Sequence, residues 1–226
     1  MKKSALALAA LCLAATLRAD DCALVSLKIG RDKHPLQFAI EFAPSEAPAT
    51  VENFKKLARK GFYKGCLIHR AFPHLLVQMG DPLSKKDDRH KVGTGGPGYS
   101  LQPEIRRKHT KGAVAAARLP DKLNPSRVSN GSQFFICLDA MPNYDGQYTV
   151  FGNIVWGLDA LDAISTRPVD SNDFPLEQIE IRSVKIMDRA QLPAPPKPAA
   201  EGAKPAKRWW QFFGQITPCE PRAAHV

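Results

Sequence analysis

Eight short strand-like runs against only two helical ones constrain this chain's fold more than any other feature of its sequence. Residues 25–29 alternate apolar and polar side chains, and residues 36–42 nearly do so after a short polar break, the pattern of a β-hairpin. Further strand-like runs cover 67–70, 75–79, 113–118, 132–138, 149–155 and 177–187. Thr50 opens the first helix: Val51, Phe54, Leu57 and Ala58 share one face, Glu52 lies in the first turn, Arg59 and Lys60 in the last, and Gly61 ends it. The second helix covers 158–164, with Leu158, Leu161, Ala163 and Ile164 available for burial. Eight strands with two helices predict a mainly β fold, a closed antiparallel barrel. Side chains fill the interior of an eight-stranded barrel, so a site must lie on an outer face or at a rim. The long, Gly-rich and charged loop 82–111 is expected to contribute to it.

The flanks of this core read differently. Lys2 and Lys3 precede a run, 5–17, that is apolar apart from Thr16, followed by Arg18, Ala19, Asp20 and Asp21. That is the pattern of a secretory signal peptide over 1–19, which predicts an exported protein, periplasmic or secreted. The 13-residue run is shorter than the roughly 20 residues a membrane span needs. The folded domain is expected over 20–190. Residues 191–207 are rich in Pro, Ala and Lys and read as a stiff linker, and 208–226 as an aromatic tail with Trp209, Trp210, Phe212 and Phe213. Beside Lys207 and Arg208 these aromatics suit either an anionic membrane surface or partner, or a return onto the barrel.

Charge and cysteines exclude several classes. Removing 1–19 takes away three cations and no acid, so the formal charge falls from +10 to +7. Arg106, Arg107, Lys108 and Lys111 form the densest basic run in the core, with no interleaved aromatics, so a nucleic-acid platform is not expected. Cys22, Cys66, Cys137 and Cys219 form no CxxC or Cys/His ligand spacing, so neither a metal nor thioredoxin-type chemistry is expected. Cys137 reads as a buried thiol in an apolar run; Cys22 and Cys219, near the two mature ends, are candidates for a disulfide in an oxidising compartment. Gly93 to Gly98 satisfies GxGxxG literally, but Pro97 interrupts it and no βα unit follows, so a tight loop accounts for the glycines.

Several ordered motifs carry a resemblance. Ile68-His69-Arg70-Ala71-Phe72-Pro73 leads to Gln78-Met79-Gly80-Asp81; Asn130-Gly131-Ser132-Gln133-Phe134-Phe135-Ile136 and Val150-Phe151-Gly152 follow. With the opening Ala47-Pro48-Ala49-Thr50-Val51-Glu52-Asn53-Phe54 and the loop from Gly93 to Tyr99, these resemble the cyclophilin family of peptidyl-prolyl isomerases, in its bacterial exported form, over about residues 24–187. The resemblance implies an eight-stranded barrel capped by two helices, and rotation about the bond preceding proline with no cofactor. Its partners would be unfolded or flexible polypeptides containing proline.

It also implies a site. Arg70 matches the catalytic arginine and Gln78 the glutamine that orients it. Phe135 matches the floor of the proline pocket, with Leu76 in place of the usual methionine. Ala117 and Arg118 match the strand that pairs with the substrate backbone, and Gln133 a further polar wall. Leu75 stands where phenylalanine is usual, Asn143 where tryptophan is usual, Tyr148 where histidine is usual, and Tyr144 in place of a leucine. These changes imply retained activity, weak binding of cyclosporin-like inhibitors and an altered preference at the residue before proline. The rival reading is a non-catalytic module that holds proline segments or unfolded chains. Taken one at a time, Arg70 and Gln78 also read as a solvated polar pair, and Phe135 and Leu76 as core.

Overall fold

The computed structural model describes residues 21–32, 35–86 and 91–192. The expected signal peptide, linker, aromatic tail and Cys219 lie outside the described residues, apart from the first two linker positions.

The first hairpin forms as the alternation predicts: β1 (Asp21–Ile29) pairs antiparallel with β2 (Leu36–Phe42). Helix α1 (Pro48–Arg59) follows, then β3 (Arg70–Phe72), β4 (Leu76–Met79), β5 (Ala113–Ala116), β6 (Phe134–Cys137), β7 (Val150–Trp156), α2 (Leu158–Ser165) and β8 (Ile179–Asp188). All pairings are antiparallel, and the strand order is β3-β4-β6-β5-β7-β2-β1-β8. Among the described residues, no helix is long and apolar enough to cross a membrane.

The expected closed barrel is corrected to an open, curled sheet with β3 and β8 as its edges. No ladder joins β3 to β8. The seam is spanned instead by the segment before β3. Gly65 N–H donates to Ile181 O, Ile181 N–H to Cys66 O and Ile68 N–H to Ile179 O, around a single bridge between Leu67 and Glu180. At His69 the chain turns away, and its N–H donates to Gln78 O.

The period of two places every other strand residue in the core. Ala23, Val25, Leu27 and Ile29 of β1 meet Phe38, Ile40 and Phe42 of β2, together with Val77, Met79, Val114, Phe134 and Ile136. On β8 the inward set changes from Ile179 and Ile181 to Val184 and Ile186, because a bulge at Arg182 resets the parity. Helix α1 covers this core with Val51, Phe54, Leu57 and Ala58, as its period predicts. Phe54 stands at the centre of an aromatic group, 4.9 Å from Tyr63, 5.4 Å from Phe134, 5.5 Å from Phe151 and 5.6 Å from Phe42 between ring centroids.

The start of α1 departs from expectation. The helix begins at Pro48, a position where the missing N–H costs nothing. Glu52 therefore lies beyond the first turn, and the negative charge there comes from Glu104 in the long loop. Its carboxylate accepts from Ala49 N–H at 3.1 Å, Thr50 N–H at 2.9 Å and Thr50 Oγ1 at 2.8 Å.

Candidate active site

Alternation also decides what faces outward. Strands β3 and β4 form a hairpin in which Arg70 pairs with Gln78 and Phe72 with Leu76. Ala71 and Val77 point into the core, so Arg70, Phe72, Leu76 and Gln78 share the outer face. Arg70 and Gln78 are thus cross-strand neighbours brought together by the bend at Pro73. On β6, Phe135 pairs with Gln78 on one side and with Ala115 on the other.

A second apolar cluster lies on this outer face. It contains Leu76, Ala113, Ala115, Ala117, Phe135, Cys137, Met141 and Val150, with Phe72, Tyr144 and Tyr148 packed at its edge. The Phe135 ring is its floor. Tyr144 and Tyr148 meet that ring edge-on at 5.8 and 5.5 Å, and the imidazole of His109 stacks nearly parallel to it at 6.1 Å.

The polar side of the floor begins at Arg70. Its guanidinium lies 4.7 Å above the Phe72 ring, and its Nε is 3.9 Å from Asp173 Oδ2. Gln78 Nε2 donates to Gln133 Oε1 at 3.0 Å. Gln133 enters β6 through a turn shaped by Asn130, whose Oδ1 accepts from Ser132 N–H and Gln133 N–H. The structure therefore brings together Arg70, Gln78, Gln133, Leu76, Phe135, Ala117, Tyr144 and Tyr148.

Ala117 joins this group through its side chain alone, and Arg118, Leu75 and Asn143 lie outside the apolar cluster. Ala117 offers only its methyl group, since its N–H donates to Gln133 O and its carbonyl accepts from Asn130 N–H. The Arg118 side chain is only 3% exposed. Its guanidinium lies 4.6 Å from the Tyr148 centroid, donates to the carbonyls of Gln147 and Leu119, and pairs with Asp121 at 2.5 Å. It packs against the Tyr148 ring, held there by these carbonyls and by Asp121. Leu75 is 41% exposed and lies outside the apolar cluster. Asn143 is exposed, and its carbonyl accepts from Gln147 Nε2 at 2.6 Å. Both belong to turns, at 73–75 and 142–144, and from the second of these Tyr144 does reach the cluster.

Sequence reasoning missed Phe72, His109, Met141, Asp173 and Asp81 as site neighbours. Phe72 was legible, two residues from Arg70 on the same strand face. His109 and Asp173 come from loops with no local signal. His109 is fixed by Asp145, whose Oδ1 accepts from its N–H at 2.7 Å and faces Nδ1 at 3.1 Å. Burial lowers the His109 pKa, with the Asp145 hydrogen bond opposing. Burial raises that of Tyr148, against the positive charge of Arg118. Cys137, in the same cluster as Phe135, is a buried thiol with its pKa pushed up to about 12 by desolvation. Among the described residues no cluster of His, Cys, Asp or Glu is placed to hold a metal ion.

The family model for cyclophilin type peptidyl-prolyl cis-trans isomerases matches residues 26–186. The chain belongs to this family, whose reaction class is isomerisation. Among curated relatives, the cyclophilin is 33% identical over 156 residues to peptidyl-prolyl cis-trans isomerase-like 1 of Emericella nidulans, covering 67% of this chain and 89% of the relative. It is 38% identical over 131 residues to peptidyl-prolyl cis-trans isomerase B of Bacillus subtilis, covering 57% and 81%. A cyclophilin type isomerase from Cryptosporidium parvum superposes with a TM-score of 0.64 at 25% identity, covering 74% of this chain and 98% of that one. The same protein solved in the presence of the dipeptide Ala-Pro gives 0.63, covering 74% and 99%.

Proposed function

We propose that this cyclophilin accelerates cis/trans rotation of X-Pro bonds in exported polypeptides, with Arg70 as the catalytic group and the Phe135 floor as the proline pocket. The observation that carries this reading is the position of Arg70. Its guanidinium lies on the same sheet face as Phe135, beside Gln78, at the border between an apolar cluster and a polar edge.

The barrier to rotation is roughly 18–20 kcal/mol and comes from amide resonance. In the twisted state the prolyl nitrogen regains its lone pair and accepts a hydrogen bond that it cannot accept when planar. A donor placed beside it stabilises that state selectively. Arg70 suits this role because its charge does not titrate and its fork is planar. The proline ring would rest on Phe135 against Leu76, with Tyr144 and Tyr148 forming the wall. The Ala-Pro dipeptide used with the Cryptosporidium protein supports proline-containing peptides as the ligand class.

Client backbone would pair at Arg118, since both backbone groups of Ala117 are already committed. With Leu75 and Asn143 outside the pocket, cyclosporin-like inhibitors would bind weakly. Export, to the periplasm or beyond, rests on the sequence of 1–19, and sequencing the N-terminus of the protein recovered from each cell fraction tests it.

The deciding experiment is the isomerisation rate of short X-Pro peptides with wild type and Arg70→Ala. Activity should fall by about a hundredfold or more. Wild-type protein that binds these peptides without turning them over would instead establish the non-catalytic module.

A further inference from the structure

Behind the site lies a buried carboxylate that catalysis by Arg70 does not use directly. Asp81 is fully buried, one residue after Gly80 at the end of β4. Its Oδ1 accepts from Leu83 N–H at 2.7 Å, and its Oδ2 from Gly93 N–H at 2.5 Å and Gly95 N–H at 3.2 Å. The Gly-rich loop is thereby wrapped around one carboxylate. At residue 95 any Cβ would collide with Asp81 Oδ1, so the loop approaches this closely only as glycine.

That arrangement sets the direction of the site's amides. The carbonyl oxygens of Gly93 and Gly95 lie 3.0 and 2.8 Å from Gln133 Nε2, and Asp81 Oδ2 lies 3.4 Å from it. Three acceptors converge there, so only the NH2 end of Gln133 can face them. An oxygen turned that way would meet three oxygens. Gln133 must therefore present Oε1 to Gln78, which answers with its own Nε2 at 3.0 Å. The Gln78 oxygen is then directed away from Gln133, and its cross-strand partner is Arg70.

We propose that Asp81 is a positioning residue of the isomerase site. Through the Gly93–Gly95 loop it fixes the sense of the chain Gln133 to Gln78, so that an acceptor oxygen rather than a competing NH2 group is available to the Arg70 guanidinium. This inference rests on the role proposed above for Arg70.

The variant that tests it is Asp81→Asn, which keeps the volume and puts an NH2 group among backbone donors. The test is a double-mutant cycle with Gln78→Glu, reading kcat and KM separately, alongside the thermal midpoint. The expected result is a fall in kcat of about tenfold, with KM within about twofold. In the Gln78→Glu background, Asp81→Asn should cost little more. Additive losses in the two backgrounds would make Asp81 merely structural and overturn the proposal.

A second measurement needs no variant and no turnover. In wild-type protein, NMR couplings across hydrogen bonds should connect Gln133 Nε2 to the Gly93 and Gly95 carbonyl carbons. Their absence, with Gln133 side-chain protons exchanging freely, also overturns the proposal. If the couplings are present but no peptide is isomerised, the orientation of the amides stands while the catalytic reading of the site fails.

Discussion

His69 and Arg70 are neighbours in sequence with opposite surroundings. Arg70 reaches the outer face, whereas the His69 ring is fully buried, and neither of its nitrogens makes a well-formed hydrogen bond among the described residues. Desolvation lowers its pKa to about 4, with the nearby Asp81 charge opposing. In the unfolded chain the imidazole titrates near 6.5, so between about 6.5 and 4 the unfolded state holds the extra proton. Stability contributed by neutral His69 is thus complete above pH 6.5 and is lost as the pH falls through that window. Urea titrations at pH 7 and pH 4.5 should show this loss, and His69→Gln should flatten the slope. An unchanged slope in that variant would assign the acid sensitivity elsewhere, to His109 first, whose depressed pKa acts in the same direction. At this scale the motif residues were legible because Arg70, Gln78 and Phe135 stand at recognisable spacings. The orientation of Arg118 was not, because Gln147 and Tyr148, which hold it together with Asp121 three residues on, come from another loop.

Among the elements, α1 depends on partners far away in sequence. Phe54 packs against rings from β2, β6, β7 and the turn containing Tyr63. Phe54→Ala should therefore cost about 3–5 kcal/mol in denaturant unfolding, by lost burial and a residual cavity. Glu104 caps the N-terminus of the same helix from the long loop. Glu104→Ala should cost about 1 kcal/mol, with a lower urea midpoint at unchanged m-value. A cost no larger than that of replacing the exposed Lys108 would show that the cap contributes nothing. Helix periodicity placed the buried face of α1 correctly because the period of 3.6 is local. It placed the helix start two residues late and put Glu52 in the first turn, because the carboxylate that serves there is 54 and 55 residues away in sequence from the peptide groups it binds.

For the molecule as a whole, burial decides which groups react. Cys22, Cys66 and Cys137 are buried, and no disulfide joins them to one another among the described residues. Desolvation pushes Cys66 and Cys137 up to about 12 and raises Cys22, whose Sγ faces Met187 O at 3.5 Å. Alkylation at neutral pH, read site by site by mass spectrometry, should leave Cys66 and Cys137 unmodified until denaturant unfolds the chain. Rapid native-state labelling of either would mean that the sheet opens locally there. The sequence by itself determined the strand count, the two helices, the alternation that separates core from outer face, and the family motifs, because each is written in residues close together along the chain. Only the tertiary structure decided that the sheet stays open between β3 and β8, because those edges lie more than a hundred residues apart and no local pattern says whether they meet. It alone also decided which loops wrap Asp81 and clamp Tyr148, because those contacts join segments that carry no mark of one another.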